Sequence, residues 1–411
     1  MRTMNSTLRI ALFSHDSLGL GHIRRNRALA FAMAKSLPAL TGRRVSGLLI
    51  AGNPEATRFD LPAGWDWVIL PGVTPAAGGY QPRALASSME GLSSLRKAAI
   101  KAILDQQDPE LFIVDRHPFG IDGELREALR HVRARGCRTV LGLREVLDSP
   151  KVIEREWNRV GGPGAVADSF DAVWIYGDPD VYDPRTTGEV PTELARIAEC
   201  TGYLAMERPD DRATTTPGKF VLTCLGGGSD GAELASIAVR SQPPAGYNHL
   251  VVTGPQMDFA DFEALKRTAA KETTVIRHSD DIPGLIASAS AVVCMGGYNT
   301  LSEVMATATP ALVVPRNSHR AEQPRRAEAL AAVGAVDTCA FSEVSVAALN
   351  DWFGDRVGHS IDRSNVDLAG LQTIAHLAAE LIGTDAETIG TDSAAASRGS
   401  ITSIKEIRYA G

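Results

Sequence analysis

The alternation of short apolar runs with longer helical stretches constrains the fold of this chain more than any other feature. Runs such as Leu8–Ser14 and Phe220–Cys224 each lead into a glycine-bearing loop and then into a helical pattern, and the rhythm persists through both halves. Strands that alternate with helices form parallel sheets covered on both faces. At 411 residues the chain is too long for one ordinary core. We therefore predict an α/β protein with two Rossmann-like, doubly wound domains that face one cleft.

The predicted strands are short and rich in apolar and β-branched residues. Those of the first half are Leu8–Ser14, Val45–Ala51, Trp67–Leu70, Leu111–Asp115, Thr139–Leu143 and Ala172–Tyr176. Those of the second half are Phe220–Cys224, His249–Thr253, Thr274–Arg277, Ala291–Cys294 and Ala311–Val314. The predicted helices between them include Ile23–Ser36, Leu92–Gln106, Gly123–Arg135, Asp261–Ala270 and Leu301–Thr307.

Changes in composition predict the domain boundaries. Residues 1–206 are expected to form the N-terminal domain and residues 220–383 the C-terminal domain. The polar, proline-bearing segment 207–219 between them reads as a hinge. The small and polar residues of 384–411 predict a weakly ordered tail.

The overall composition excludes several classes of protein. The net charge of -7 gives no basic footprint for nucleic acid. The five cysteines are scattered without metal-ligand spacing, which is typical of reduced thiols in a cytoplasmic protein and predicts no metal site. No apolar run approaches the roughly 20 residues that span a bilayer. No cofactor is expected, and peripheral contact with a membrane stays open.

The first predicted strand leads into a loop that ends at Gly21, where a helix begins. The dinucleotide-binding fingerprint needs a third glycine at the position of Arg24, so a nicotinamide or flavin site is not favoured. His22 stands beside the helix start, and an imidazole there could take a proton from a hydroxyl. The alternative is a capping or structural histidine. His15 lies nearer the strand and is expected to be packed.

The first strand of the second half leads into "LGGGSDGAEL". Its glycines Gly227, Gly228 and Gly231 surround Ser229, and a helix follows. Backbone N–H groups and a hydroxyl at a helix start can hold a phosphate. No Gly-Lys-Ser/Thr follows, so the P-loop pattern is absent. An ordinary glycine turn is the alternative.

The next strand exit carries His278 and Ser279, where a nucleotide base could lie against a flat ring. Asp280 and Asp281 follow and precede a predicted helix. Aspartate is a preferred helix-capping residue, so at least one of the two is expected to cap.

A third exit carries Gly296 and Gly297, which leave room for the chain to pass close to a ligand. The following helix contains Glu303, and a loop after the next strand supplies Glu322 and Gln323. A helical glutamate is usually solvated, but in a cleft its two oxygens can accept both hydroxyls of a ribose. The carboxylate and amide of the loop suit the hydroxyls of a sugar.

Charged residues also follow the N-terminal strands. Asp115, Arg116 and His117 leave one strand, and Arg144 and Glu145 leave the next. They predict either acceptor binding, with Asp115 orienting a histidine, or an ion-paired loop network.

Two other charged groups are open to a plainer interpretation. The Asp-x-Asp of Asp178 and Asp180 resembles a diphosphate metal site, but a turn sequence surrounds it, and we interpret it as a turn. Arg24, Arg25 and Arg27 could meet an anionic acceptor or a lipid surface, or form a solvated helix face.

The order of these motifs resembles the donor half of glycosyltransferases with the B-type fold. The carriers are the glycine loop, the Gly-Gly-x-x-Thr-x-Ser-Glu helix of Gly296–Glu303, the proline-ended strand and the Glu-Gln loop. The similarity is to the N-acetylglucosaminyltransferases that form lipid II in peptidoglycan synthesis, covers most of Phe220–Leu330 and returns at Gly21-His22. It implies an inverting, metal-independent transfer of a hexose or N-acetylhexosamine from a nucleotide sugar to a hydroxyl of an acceptor. UDP is the favoured nucleotide, and the sequence does not identify the acceptor molecule. A cell-envelope or exopolysaccharide glycan is the implied product.

The resemblance also implies residue roles. It places the diphosphate on the glycine loop, the ribose on Glu303, the donor sugar on Glu322 and Gln323, and the acceptor beside His22. The implied donor site comprises Gly21, Gly227, Gly228, Ser229, Gly231, His278, Ser279, Gly296, Gly297, Thr300, Glu303, Glu322 and Gln323, and the catalytic candidates are His22, Asp115 and His117.

The middle of the N-terminal half departs from the peptidoglycan enzymes. Val114–Gly120 and Leu141–Pro150 match nothing in them and resemble a little-described branch of predicted glycosyltransferases, so lipid I is not the expected acceptor. Two alternatives stay open. A non-hydrolysing nucleotide-sugar epimerase shares the fold but needs several acid/base groups around the sugar, where Glu322 is the main one on offer. The other is a catalytically inactive nucleotide-sugar-binding protein.

Overall fold

The computed structural model describes residues 7–15, 19–76, 79–209, 218–316 and 320–383. Its N-terminal half contains the strands β1 (Leu8–Ser14), β2 (Val45–Ala51), β3 (Trp65–Ile69), β4 (Val73–Ala76), β5 (Gly79–Pro82), β6 (Leu111–Asp115), β7 (Arg138–Arg144), β8 (Ala172–Tyr176) and β9 (Ala198–Cys200). Its helices are α1 (Gly21–Thr41), α2 (Met89–Gln107), α3 (Arg126–Ala134), α4 (Pro150–Arg159), α5 (Gly162–Ala167) and α6 (Thr192–Ala195), with short 3₁₀ helices at Pro54–Arg58 and Ile121–Gly123.

The C-terminal half repeats the plan. Its strands are β10 (Phe220–Cys224), β11 (Asn248–Val252), β12 (Thr273–Ile276), β13 (Val292–Cys294), β14 (Ala311–Val313) and β15 (Asp337–Thr338). Its helices are α7 (Ala232–Ala238), α8 (Phe259–Thr268), α9 (Ile282–Ser288), α10 (Tyr298–Met305), α11 (Glu322–Ala332), α12 (Val346–Arg356) and α13 (Gly370–Ile382).

Both sheets reverse their strand order at one point. The N-terminal sheet runs β3-β2-β1-β6-β7-β8-β9 and the C-terminal sheet runs β12-β11-β10-β13-β14-β15, with neighbouring strands parallel throughout. The reversals lie between β1 and β6 and between β10 and β13. Ligands of open α/β sheets bind beyond the carboxyl ends of the strands at such switch points. The prediction of two Rossmann-like α/β sheets is confirmed.

The core explains why these strands read as continuous apolar runs. Every residue of β6 and β10 is buried, because helices cover both faces of a parallel sheet. One apolar cluster extends from Leu12 and Leu29 in the N-terminal half, through Tyr203, to Leu222 and Leu301 in the C-terminal half. The two halves therefore share packed apolar surface.

The last described helix crosses between the halves. The segment before α13 pairs with the N-terminal half through an antiparallel bridge from Leu204 to Ala369, and the Gly370 N–H donates to the Tyr203 carbonyl over 3.0 Å. A Cβ on Gly370 would lie 2.4 Å from the Gly202 carbonyl oxygen, so this close approach requires glycine. Helix α13 then packs on α1. The division into domains 1–206 and 220–383 stays a prediction, with the end of the second range lying against the first.

Two predicted segments fall largely outside the described residues. These are 210–217 within the expected hinge, and the expected tail at 384–411. Among the residues that are described, no helix combines the length and apolarity needed to cross a membrane.

The predicted strands lie within two residues of the observed ones, whereas some elements were missed. Helix α1 continues past Pro38 to Thr41 and ends at Gly42, whose φ of 67° places it in the left-handed region that favours glycine. The hairpin of β4 and β5, the short edge strands β9 and β15, and helices α4, α5, α6, α12 and α13 were not predicted. The missed strands have two to four residues, so they leave little apolar periodicity in the sequence.

Candidate active site

The helices that begin at the two switch points contact each other. Asn299 in the first turn of α10 donates from Nδ2 to the carbonyl of Gly21 at the start of α1, over 2.9 Å. Arg24, one turn into α1, donates to Glu303 of α10 over 2.6 Å. The fold thus brings together the strand exits at which the sequence places the acceptor and the donor.

A histidine–aspartate pair occupies the N-terminal switch point. His22 Nδ1 lies 2.9 Å from Oδ2 of Asp115, the fully buried last residue of β6. Arg25 Nη2 donates to the same oxygen over 2.8 Å. Arg25 Nη2 also lies 2.9 Å from His22 Nδ1. We assign the proton to Nδ1, which then donates to Asp115 while Arg25 bonds to the carboxylate alone, and this tautomer leaves Nε2 as a proton acceptor. Asp115 thus contacts a histidine, and it also pairs with Arg25, as the alternative of an ion-paired network predicts. Its role in catalysis stays a prediction.

The surroundings of this pair favour a neutral imidazole on His22 and an ionised carboxylate on Asp115. Burial lowers the pKa of His22 below its ordinary 6.5, although the Asp115 carboxylate acts in the opposite direction. Burial alone would raise the pKa of Asp115, but Arg25 and His22 outweigh it and hold that pKa at about 2. At neutral pH the pair is a neutral imidazole on a carboxylate, the arrangement of an oriented general base.

Two more histidines pack beside this pair. The rings of His15 and His117 lie with centroids 4.0 Å apart, and the His117 ring is 6.1 Å from that of His22. His15 Nε2 lies 3.0 Å from the Tyr80 hydroxyl of the unpredicted hairpin. Burial lowers the pKa of His15 to about 3 and that of His117 well below its ordinary value. His15 is packed, as predicted, and His117 is a neighbour of the pair.

The glycine loop after β10 is shaped by close backbone packing. Gly228 has a φ of 91°, and a Cβ there would lie 2.3 Å from the Thr253 carbonyl oxygen. The Gln256 N–H donates to the Gly227 carbonyl over 2.8 Å. Gly231 precedes α7, and a Cβ on it would lie 2.9 Å from the Cβ of Leu225. This packing leaves Gly227 and Ser229 exposed, where a ligand can reach them.

Glu303 is buried, not solvated. Its side chain is 1% exposed, and its Oε1 lies 2.6 Å from Arg24 Nη2 and 3.9 Å from Arg208 Nη2. Among the described residues, Oε2 has no hydrogen-bond partner. The solvated-face interpretation of the first-helix arginines is wrong for Arg25 and Arg27, which are 3% and 5% exposed.

Glu322 and Gln323 lie in the first turn of α11, and the prediction of a loop there is wrong. Glu322 pairs with Arg144 of β7 over 2.6 Å and with Arg316 over 2.8 Å. Burial alone would raise the pKa of Glu322, but Arg144 and its other cationic neighbours lower it to about 2. Gln323 Oε1 accepts from the Arg316 N–H over 3.0 Å. Both side chains are thus oriented by arginine at the crevice.

The residues proposed to contact the base are more exposed. The His278 side chain is 53% exposed and its Nε2 lies 2.7 Å from Asp280. Ser279 Oγ accepts from the Asp281 N–H over 3.2 Å, and Asp281 caps α9 by accepting from the Gly284 N–H over 2.7 Å. The capping prediction holds for Asp281.

The glycine pair after β13 opens α10. Gly296 has a φ of 83°, and a Cβ there would lie 3.0 Å from the side chain of Val313. Gly297 takes the helix N-cap position, and Thr300 is half-buried in the first turns. Gly296 therefore lets α10 start close to β14, whereas a Cβ on Gly297 would meet nothing within 4 Å.

The Asp-x-Asp segment is a turn, as interpreted from the sequence. Asp178 accepts from the backbone N–H groups of Asp180 over 2.9 Å and of Asp367 over 2.7 Å. Across the described ranges, no cluster of three His, Cys, Asp or Glu side chains is arranged to hold a metal ion.

Sequence reasoning missed the arginines of α11 that join the halves. Arg326 Nε donates to Glu145 Oε1 over 2.7 Å and its Nη2 to Oε2 over 3.2 Å, with both side chains at most 1% exposed. Arg325 pairs with the buried Glu189 over 2.8 Å. The Arg-Arg sequence directly after Glu322-Gln323 was a visible signal, but its acidic partners lie far away along the chain.

Comparison with known proteins relates this chain to glycosyltransferases. Residues 222–351 match the Glycosyltransferase family 28 C-terminal domain. The chain is a glycosyltransferase with the B-type fold. Over 259 residues the transferase is 26% identical to a Vibrio cholerae protein named UDP-N-acetylglucosamine–N-acetylmuramyl-(pentapeptide) pyrophosphoryl-undecaprenol N-acetylglucosamine transferase, and the alignment covers 56% of this chain and 67% of that relative. The resemblance seen in the motifs is confirmed.

Solved structures show how widely the fold is shared. The glycotransferase of kitacinnamycin superposes with a TM-score of 0.55 at 13% identity, covering 91% of this chain and 98% of that one. The UDP-GlcNAc 2-epimerase of Methanocaldococcus jannaschii superposes with a TM-score of 0.58 at 11% identity, covering 91% and 99%. The fold therefore serves both reaction classes, and the sequence match separates them in favour of transfer.

Proposed function

We propose that this glycosyltransferase moves a hexose or N-acetylhexosamine from a UDP-sugar to an acceptor hydroxyl, with inversion and without a metal ion. The supporting observation is the His22–Asp115 pair, whose histidine lies at the start of α1, two residues before the arginine that contacts Glu303 of the C-terminal half. The name of the Vibrio cholerae relative supports a UDP-linked amino sugar as donor. The scattered free cysteines support a cytoplasmic location.

In the proposed reaction His22 Nε2 takes the proton of the acceptor hydroxyl as its oxygen attacks C1 of the donor sugar. The bond between C1 and the diphosphate oxygen breaks, and the diphosphate leaves with the electron pair. Attack opposite to the leaving group inverts the configuration at C1. Asp115, which contacts His22 and is fully buried, would position the ring and stabilise the imidazolium that forms.

The donor is proposed to bind the C-terminal half. The glycine loop of Gly227 to Gly231, which is exposed at Gly227 and Ser229, would hold the diphosphate, and Glu303 would accept the ribose hydroxyls. Glu322 and Gln323, held by arginine, would contact the sugar. Backbone N–H groups held in fixed positions can donate hydrogen bonds to a leaving diphosphate and stabilise its charge, a role that a metal ion fills in other transferases.

The Glu303→Ala variant tests the ribose contact. Loss of a charge-assisted hydrogen bond should weaken UDP binding by about 1.5–3 kcal/mol. Calorimetric titration with UDP measures this, and Glu263→Ala is the control because Glu263 lies half-exposed on α8 and pairs with Lys266. Unchanged UDP affinity in a folded Glu303→Ala protein would remove Glu303 from the site.

Treatment with EDTA tests metal independence. We expect transfer activity to persist, because the two oxygens of Asp178 already accept backbone N–H groups and are engaged away from the glycine loop. The measurement is product formation with and without chelator. Loss of activity that magnesium or manganese restores would contradict the proposal and make Asp178 and Asp180 candidates again.

Incubation with donor alone separates transfer from epimerisation. A transferase should leave most of the sugar nucleotide unchanged until an acceptor is added, whereas an epimerase converts it without one. Rapid formation of an epimeric UDP-sugar in the absence of acceptor would overturn the proposed transfer.

A further inference from the structure

We infer that Arg316 contacts the β-phosphate of the donor and stabilises the leaving diphosphate, an inference that rests on the proposed function. Its side chain reaches two parts of the proposed donor site. Nη1 donates to Oδ2 of Asp230 over 3.1 Å, and Nη2 donates to Oε1 of Glu322 over 2.8 Å. Asp230 belongs to the glycine loop, between Ser229 and Gly231. One guanidinium group therefore bridges the proposed diphosphate loop and a proposed sugar contact.

This bridge places the guanidinium group where the diphosphate would meet the sugar. In a nucleoside diphosphate sugar the β-phosphate is joined directly to C1, so a group between the two parts of the site lies near the bond that breaks. The backbone N–H of Arg316 also donates to Oε1 of Gln323 over 3.0 Å, which ties the residue to the second proposed sugar contact. The location thus favours the β-phosphate over the α-phosphate and the ribose.

Arg316 keeps donor capacity for a ligand. A guanidinium group has five N–H donors, and the two side-chain hydrogen bonds use two of them. Its Nε is buried and has no hydrogen-bond partner among the described residues. A buried donor without a partner is costly, so an oxygen that accepted from it would be bound favourably. The side chain is 25% exposed, which leaves part of the group open to an incoming ligand.

The carboxylates beside Arg316 offset its charge only in part. Glu322 is shared with Arg144 of the N-terminal half, whose Nη2 lies 2.6 Å from Oε2. Asp230 is 42% exposed, and solvent weakens the interaction of an exposed carboxylate with its partner. The Nε of Arg144 is likewise buried without a partner in the described part of the chain. Two arginines on one largely buried carboxylate favour the binding of a further anion.

Donor binding would bring the β-phosphate against Arg316. Arginine suits this role because its planar donors match phosphate oxygens in pairs. As the bond between C1 and the diphosphate oxygen breaks, its electron pair stays on that oxygen. A cation already in place stabilises the charge that grows there. Arg316 would thus supply positive charge to the leaving group, as a metal ion does in other transferases.

Comparison of UDP with UMP tests the inference, because UMP keeps the base, the ribose and one phosphate and lacks the β-phosphate. Titration calorimetry would use wild type, Arg316→Ala and Arg316→Lys, with Arg240→Ala as the control, an exposed arginine of the same half. Arg316→Ala should weaken UDP binding by about 10- to 100-fold and UMP binding by less than about threefold. Arg316→Lys should lie between wild type and Arg316→Ala, because lysine keeps the charge and loses the planar pair of donors.

The Asp230→Asn variant separates contact with the phosphate from support of the loop. It removes a negative charge beside the proposed diphosphate and leaves Arg316 in place, so UDP should bind at least as tightly as to wild type. If Arg316 only tethers the glycine loop through Asp230, this variant should instead weaken UDP binding as Arg316→Ala does.

Different results overturn different statements. The inference is wrong if Arg316→Ala binds UDP with wild-type affinity, if it weakens UDP and UMP by the same factor, or if Asp230→Asn weakens UDP as much as Arg316→Ala. If circular dichroism shows that Arg316→Ala does not fold, Arg316→Lys and Asp230→Asn decide the question with the same two ligands. A wild-type protein that binds neither UDP nor UMP would overturn the proposed donor site itself.

Discussion

The His22→Ala variant is expected to transfer sugar at least about 100-fold more slowly than wild type, with nearly unchanged UDP affinity. The ring touches Asp115 at the end of the N-terminal sheet, and the glycine loop belongs to the other sheet. Turnover at saturating donor and calorimetric UDP titration measure the two quantities. His131→Ala is the matched control, because His131 lies half-exposed on α3 and pairs with Asp105 over 2.9 Å.

The pH dependence should identify the same residue. The neutral form of His22 is the base, so the wild-type rate should be lost as pH falls through the pKa of His22. Burial lowers that pKa below 6.5. The acid limb of the pH–rate profile should therefore lie at a lower pH than the near-neutral limb that the sequence alone predicts. Asp115→Asn removes a group that raises the His22 pKa, so it should slow transfer and move the limb to still lower pH.

A folded His22→Ala protein with near-normal turnover, or one that keeps the acid limb, would reduce His22 to a residue that shapes the loop. The search for the base would then move to His117, whose ring lies 6.1 Å from that of His22. His117→Ala with the same pair of measurements would decide between them.

The sheets could be predicted because their signal is local. Strands such as β1 and β10 are buried along nearly their whole length, and burial on both faces produces unbroken apolar runs bounded by glycine loops. The rule that ligands bind at strand exits then selects His22, Asp115, the glycine loop and Glu303 without knowledge of the strand order. The structure adds that all four flank the two reversals of strand order.

The pairing of side chains could not be predicted, because the partners are remote along the chain. Arg24 and Glu303 are 279 residues apart, and Arg326 and Glu145 are 181 apart. A helical glutamate looks solvated until the opposite half of the protein supplies its arginine. Glu322 was difficult to predict for a related reason. Pro324 lies two residues further along the chain and favours a loop, yet proline is tolerated in the first turn of a helix.

The Arg326→Ala variant is expected to lose about 3–5 kcal/mol of stability, because the Glu145 carboxylate would stay buried without its cation. The two side chains are 1% and 0% exposed and make two hydrogen bonds with each other. Arg326 also donates to the Gly296 carbonyl over 3.1 Å, which ties the pair to the glycine turn before α10. The shift in denaturant midpoint, read by circular dichroism, measures the loss. Arg356→Ala is the control, because its pair with Asp337 is 40% and 31% exposed and should contribute less than about 1 kcal/mol.

A double variant separates the effect of the two charges from the effect of the contact between Arg326 and Gly296. Arg326→Met combined with Glu145→Leu removes both charges and keeps apolar volume, so it should recover most of the stability that Arg326→Ala loses. Transfer activity should nevertheless stay low, because the double variant still lacks the contact from Arg326 to Gly296 that helps position the start of α10. Recovery of both stability and activity would show that the pair only joins the halves. An Arg326→Ala protein as stable as wild type would contradict the expected loss, because Glu145 would then remain buried without its cation at no cost in stability.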